Sequence, residues 1–143
     1  MTSPEADIRS ANEALIGKAL ACISAADLDG LFALVHPDVV FELPYGPTFM
    51  PKSFDKPGFE MINKATFGPS GQFSRFSIAP TRFFAMADPA DVIAEYASDG
   101  EVASTGKPYV NQYIGVFHVT DGLIDRWKEF HNADVPREAF SKD

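Results

Sequence analysis

Two side chains in the stretch Asn111–Asn132, NQYIGVFHVTDGLIDRWKEFHN, are spaced for proton chemistry: Glu129 and His131. The stretch reads as a β-hairpin. Apolar-rich runs flank Asp121-Gly122, a dipeptide that tolerates the positive φ angles of a type I′ turn. A two-residue loop fixes register, pairing Thr120 with Leu123, His118 with Asp125, Val116 with Trp127, Ile114 with Glu129 and Gln112 with His131. Opposed residues share a face, and faces alternate along a strand. Glu129, His131 and Gln112 therefore stand together on a wall otherwise made of Ile114, Val116 and Trp127. A carboxylate in such surroundings has its charged form disfavoured, so its pKa rises and it becomes a usable general acid or base near neutrality. The ordinary alternative is an ion pair with Lys128, Arg126 or a partner subunit. His131 relays a proton with Glu129, binds a ligand oxygen, or simply ends a strand near solvent.

The opposite face of the same hairpin carries Phe117, Val119, Ile124, Tyr113 and Phe130 with Arg126 and Lys128. Asn111 shares this parity. Both faces hold too much apolar surface for water, so one is expected to line a pocket and the other, through Phe117, Tyr113 and Phe130, to form a homodimer.

Other candidates come with plainer readings. Tyr45 and Tyr96 offer hydroxyls for a developing oxyanion, a role that competes with simple packing. Glu95 is a second strand carboxylate, with a structural ion pair as its alternative. Arg75 and Arg82 suit a substrate carboxylate or an exposed strand surface. His118 reads as a cross-strand pair with Asp125. His36 closes a helix, where a cation suits the dipole. Cys22, in the apolar run Ala21-Cys22-Ile23, is an inert core thiol.

Composition narrows the partners. Twelve basic and 20 acidic residues give a net charge of −8, which argues against nucleic acid and anionic membrane. One cysteine forms no internal disulfide and suits a reducing cytoplasm. No apolar run approaches a membrane span, and the N-terminus has no signal pattern. The histidines lack zinc spacing, and neither a G-x-S-x-G elbow nor a phosphate loop is present. If the chain is an enzyme, what remains is acid/base chemistry without cofactor or metal.

The elements that must position these groups follow from pattern. Ser3-Pro4-Glu5 opens a helix to about Ser24, with Ile8, Ala11, Leu15, Ala19, Cys22 and Ile23 as its buried stripe. Asp27 caps a shorter helix, ended by His36-Pro37. Asp38 to Leu43 reads as a strand. Pro44 to Lys52 is an ordered loop whose Tyr45, Phe49 and Met50 suit a cavity rim. A third helix covers Pro57 to Phe67. Strands follow at Phe73 to Met86, with a bulge at Pro80, and at Asp91 to Thr105. The tail from Pro136 is a short helix or frayed end. Thirteen phenylalanines are many for 143 residues, and most must fill core or line a cavity. Helices first and an antiparallel meander after is the α+β pattern, in one domain spanning residues 1–143. Helices on one face of a strongly bent sheet enclose a conical pocket.

HPDVVFELPYGP after two helices, and YVNQYIGVFHVTDGLIDRWKEFHN at the end, resemble the SnoaL-like branch of the NTF2-like superfamily. The closing stretch is similar to the phenazine biosynthesis A/B proteins. The resemblance implies a cone of helices on a curved, mainly antiparallel sheet. It implies an acid or base at Glu129 and substrate-binding positions on the third helix at Ile62 and Thr66, where those proteins carry histidine and serine. The ketosteroid isomerase pattern, an acid just before a Pro-x-Gly loop, falls on Leu43 here, so that base is either absent or carried by Glu42, one place earlier, through a bulge. The pocket set is then Glu129, His131 and Glu42 as acid/base groups, with Trp127, Tyr45, Phe49, Tyr96, Ile114, Val116, Gln112, Ile62 and Thr66 around the ligand. The superfamily holds isomerases, cyclases, dehydratases, hydrolases and non-catalytic binders. Three readings therefore stay open: an enzyme acting on a small apolar or aromatic carbonyl compound, a binder of such a compound, and an adaptor for another protein.

Overall fold

A computed structural model describes residues 3–143. The first helix, α1, spans Pro4–Ser24 and is capped by the Ser3 hydroxyl, which accepts from the Ala6 amide. Its buried stripe is Asn12, Ile16, Ala19, Leu20, Cys22 and Ile23. Ile8 and Ala11, expected inside, are exposed. The stripe turns because Asn12 lies inward, its amide donating to the Pro89 carbonyl, in the turn after residue 84, at 2.9 Å. At the other end of α1, the Ser24 hydroxyl bonds the amide and carbonyl of Ile78 at 2.8 and 2.9 Å. Helix α2, Leu28–Ala33, is capped by Asp27 as expected.

Strand β1 spans Val35–Glu42, so His36-Pro37 lies inside it rather than ending a helix. Proline is tolerated there because pairing to the neighbouring strand breaks register between Val35 and Val40. The loop after it leads to a short β2, Ser53–Phe54, and to α3, Lys56–Phe67, capped by Asp55. The long strands are β3 (Phe73–Phe84), β4 (Asp91–Val102), β5 (Pro108–Thr120) and β6 (Leu123–His131). Pairing of β3 shifts between Pro80 and Arg82, where the proline interrupts it. Helix α4, Asp134–Ala139, follows. The six-stranded sheet runs β2-β1-β6-β5-β4-β3, antiparallel except for β1 beside β6. The helices cover the inner face, and the core there unites α1, α2 and α3 with alternate residues of the strands. A smaller cluster of Val102, Tyr109 and Ala139, with Phe73, Phe76 and Phe140, closes the end where α4 sits.

The β5–β6 hairpin decides which residues meet. Its turn is as read, with positive φ at Asp121 (54°) and Gly122 (74°). Thr120 pairs with Leu123 and Val119 with Ile124, but His118 then pairs with Arg126. Asp125 is an extra residue, a β-bulge. Its carboxylate meets His118 Nδ1 at 2.6 Å and accepts from the Thr120 hydroxyl at 2.9 Å. Burial works against its charge, yet the bonds from His118 and Thr120 outweigh that and hold the Asp125 pKa below its ordinary value. Beyond the bulge every pairing moves by one residue: Phe117 with Trp127, Gly115 with Glu129, Tyr113 with His131. A one-residue shift exchanges the faces of one strand against the other.

Ile114, Val116 and Gln112, expected beside Glu129, therefore lie on the outer face, where Ile114 is 46% exposed. Phe117 and Tyr113, expected in a dimer interface, are buried inside. Phe130 stays outside, paired with Ile114. Deleting Asp125 should restore the unbulged register and turn Trp127 outward. The expected result is red-shifted tryptophan emission with a lower denaturation midpoint; unchanged emission would show that the bulge does not aim the strand.

Candidate active site

The inner face of β4, β5 and β6 assembles the site. Tyr96 of β4 donates its hydroxyl to Glu129 Oε1 at 2.5 Å, and the Trp127 indole N–H donates to the Tyr96 oxygen at 3.2 Å. Trp127 is buried, its ring centroid 5.1 Å from Phe117 and 5.8 Å from both Phe41 and Phe59. These contacts bring strands β1, β5 and β6 and helix α3 around one indole. Gly115, directly opposite Glu129, leaves the space this needs. A Cβ there would lie 2.5 Å from the Phe117 ring and 2.8 Å from Tyr96, so any side chain would force both rings away.

Burial among these rings raises the Glu129 pKa from 4.5 to about 7, although the Tyr96 and Trp127 donors favour its charged form. The residue keeps an intermediate exposure. Burial and the neighbouring carboxylate push the Tyr96 pKa well up, so its hydroxyl keeps its proton and remains a donor. A second polar group continues the wall. The Tyr113 ring stacks on Tyr96 at 5.0 Å and 8°, and its hydroxyl shares a 2.7 Å hydrogen bond with Ser98. His131 lies opposite Tyr113, with ring centroids 6.5 Å apart. Its Nδ1 is buried and has no partner among the described residues, and burial lowers its pKa.

Three predicted residues thus meet at one place: Glu129, Trp127 and Tyr96. His131 shares their face. Glu42 does not. Phe41 lies beside Trp127 and faces inward, so Glu42 turns outward and pairs with Arg126 at 3.3 Å. Tyr45 is exposed, its ring 6.0 Å from Phe130 on the outer face, and Phe49 is exposed on its loop. Ile62 packs against the core from α3, and the Thr66 hydroxyl donates to the Ile62 carbonyl at 2.7 Å. Asn111 is buried and ties β5 to the end of β6 through Asn132. The reading from sequence missed Ser98 and Gly115. Strand parity from Tyr96 would have found Ser98, and a glycine inside a strand signals close approach.

Two surface clefts lie away from this wall. One of about 420 Å³ is on the outer face between Val40, Glu42, Asp91, Val116, His118 and Arg126. The other, about 330 Å³, lies between the start of α2 and the end of α3. Among the described residues no three His, Cys, Asp or Glu side chains converge as a metal site requires, and no helix is long and apolar enough to cross a membrane.

The profile of the SnoaL-like domain matches residues 16–127. The chain belongs to the SnoaL-like domain family. Among its relatives, "Uncharacterized protein YesE" of Bacillus subtilis is 34% identical over 123 residues, 86% of this chain and 82% of that one. A crystal structure from Bacillus subtilis, named "Putative Isomerase", is 32% identical with a TM-score of 0.80, covering 99% of this chain and 98% of that one. A phenazine biosynthesis-related protein of Pseudomonas aeruginosa shares the fold at a TM-score of 0.80 and 20% identity, covering 100% of this chain and 88% of that one. The expected SnoaL-like, NTF2-like architecture, helices on a curved mainly antiparallel sheet, is the one observed.

Glu129 makes stability depend on pH with a definite sign. Its pKa is about 7 in the folded protein, against an ordinary value of 4.5 once the chain unfolds. The folded state thus holds a proton that the unfolded chain releases. Stability from this group is complete below pH 4.5 and is lost as pH rises to about 7. The shift corresponds to at most about 3 kcal/mol. Glu129→Gln should remove that loss, so urea unfolding of variant and wild type should diverge between pH 5 and 8, the variant becoming relatively more stable. Parallel curves would contradict a raised pKa.

Proposed function

We propose that this SnoaL-like protein is a cofactor-independent acid/base enzyme in which Glu129 moves a proton on a small apolar or aromatic carbonyl compound. The observation that carries this reading is a carboxylate set among aromatic rings and bonded at 2.5 Å by a tyrosine hydroxyl, surroundings that raise its pKa to about 7 while the tyrosine keeps its proton. Near neutrality such a group is present in both forms, so it takes a proton from carbon and gives it back. As Glu129 accepts the proton from the carbon beside the carbonyl, its hold on the Tyr96 hydroxyl weakens. That hydroxyl then turns to the oxygen on which negative charge develops. Return of the proton to another carbon completes an isomerisation, with no electron gained or lost. Cyclisation or elimination begins with the same proton removal. The name carried by the Bacillus subtilis structure supports the isomerase end of this range.

A second reading has its own observation. Ile62 and Thr66 stand where the phenazine-type resemblance puts histidine and serine, and the Thr66 proton is committed to a backbone carbonyl. With one titrating group at the wall, the same fold holds a hydrophobic metabolite without changing it. Deuterium exchange beside the carbonyl of cyclic and aromatic ketones, followed by NMR in D2O, separates the two. Catalysis predicts exchange that rises with pH and levels above about 7, and a loss of about 10²- to 10⁴-fold in Glu129→Gln. Saturable binding without exchange supports the binder, and exchange untouched by Glu129→Gln removes Glu129 from the role.

We also propose a homodimer through the outer sheet face, with a corrected membership. Val40, Ile114 and Val110 are exposed there beside Phe130. Both charge signs flank them, with Glu95 on β4 and Lys128 on β6 either side of β5. A twofold axis brings such a patch onto its own copy with opposite charges facing. Sedimentation at micromolar concentration should give a dimer, and Ile114→Glu a folded monomer; a monomeric wild type would refute the interface.

A further inference from the structure

We infer that His131 Nδ1 is a ligand-binding atom, accepting a hydrogen bond from a hydroxyl group that the ligand carries about 7 Å, two strand residues, from the carbon on which Glu129 acts. The inference rests on the Glu129 face being the ligand site. It adds a second anchoring point and with it a substrate class: hydroxylated aromatic or alicyclic carbonyl compounds.

Nδ1 of His131 is buried and has no partner among the described residues. Buried polar atoms in folded proteins are nearly always paired, and an exception marks an atom that a water or a ligand completes. The atom is placed for a ligand to be that partner. His131 and Glu129 are two residues apart on one strand, past the bulge, and so on the same inner face. Two residues of strand span about 7 Å. The Tyr96 and Tyr113 rings, parallel at 8°, run along this face from the Glu129 carboxylate towards His131.

The other polar groups nearby are taken. The Tyr113 hydroxyl is held by Ser98, the Tyr96 hydroxyl by Glu129 and Trp127. Asn111 is spent on the backbone of Asn132. His131 alone of this group keeps a buried, unused nitrogen. A buried N–H without a partner is rarer than a buried acceptor without one, so the tautomer that fits has Nδ1 bare and its proton on Nε2. A bare Nδ1 accepts, and the group that completes it must donate: an alcohol, phenol or enol. Sites that bond a ligand hydroxyl reject the analogue lacking it far better than apolar pockets separate a methylene.

The test compares 4-hydroxyacetophenone with acetophenone, binding being read from the emission of Trp127, the only tryptophan in the chain. No turnover is needed, so failure of Glu129 as a catalyst and failure of this inference are separate results. Wild type should bind the hydroxyl compound about tenfold more tightly. His131→Phe should erase that preference while still binding acetophenone, and Glu129→Gln should retain it. On the intact protein, the imidazole ¹⁵N spectrum should show Nδ1 unprotonated and shifted by 4-hydroxyacetophenone but not by acetophenone. That measurement stands even where the phenylalanine variant does not fold. Equal binding of the two ketones, no binding of either, a preference that survives in His131→Phe, or an Nδ1 resonance that neither ligand moves would each overturn the inference.

Discussion

One inserted residue governs this molecule. Asp125 bulges from the last strand, and the bonds it forms with His118 and Thr120 pin it there. The neighbouring strand β1 breaks register at the matching level, between Val35 and Val40. Both partners of β6 thus accommodate the same irregularity from opposite sides. After it, Trp127, Glu129 and His131 face inward, while Arg126, Lys128 and Phe130 face out. Without it, that parity would be reversed, and a charged carboxylate would sit on the surface beside Ile114. Bulges commonly re-aim side chains next to functional sites, and here the three re-aimed residues are those on which the proposed function rests.

What the bulge delivers is a contest between two physical effects at Glu129. Removal from water disfavours the carboxylate, and the hydroxyl of Tyr96 favours it. Removal from water prevails, and the pKa settles near neutrality instead of in the carboxylate range. The geometry that permits this is a missing side chain. Gly115 lets Tyr96 and Phe117 lie against the strand opposite Glu129, so the rings that exclude water and the donor that tempers their effect occupy the same space. Glu42 makes the contrast plain. It is held on a strand of the same sheet, but it faces outward to an arginine and lines an open cleft. Parity, not residue type, assigns the two acids different surroundings.

Much of this was legible in the chain. The caps at Ser3 and Asp27, the turn at Asp121-Gly122, the break at Pro80 and the order of the long helices and strands all rest on local rules that held, whereas His36-Pro37, read as a helix end, lies inside β1. Glu129 and Tyr96 were legible as candidates from the polar groups they carry on largely apolar strands, and Trp127 from its two-residue spacing to Glu129. Their mutual arrangement was not. Register counted from the turn is correct only until the first extra residue, and nothing in LIDRWK marks Asp125 as unpaired. Its expected partner, His118, was correct even so, because the side chains meet across the bulge that displaces their backbones. The stripe of α1 failed for a related reason. An inward Asn12 reads as polar surface until the Pro89 carbonyl that receives it is known. Tyr45 and Phe49 were placed at the pocket because they lie on a loop beside it, and loops leave the direction of a side chain open; Glu42 was placed there by the ketosteroid isomerase resemblance, and strand parity turns it outward.

The range of chemistry open to the site follows from how few of its groups titrate near neutrality. Hydrolysis of an ether or epoxide needs a positioned water and a second group to protonate the leaving oxygen, so two acid/base residues must share the work. Helix α3 is where a second such residue would approach the wall, since its Phe59 already touches Trp127. It offers Ile62 and a Thr66 turned back on its own helix. Burial lowers the His131 pKa, and the residue lies two positions away along the strand, so it does not share the carboxylate's titration. A lone carboxylate with a protonated tyrosine against it suits chemistry in which one group removes a proton and the same group returns it. That requirement, more than the fold, is why the proposed function is proton transfer between carbons.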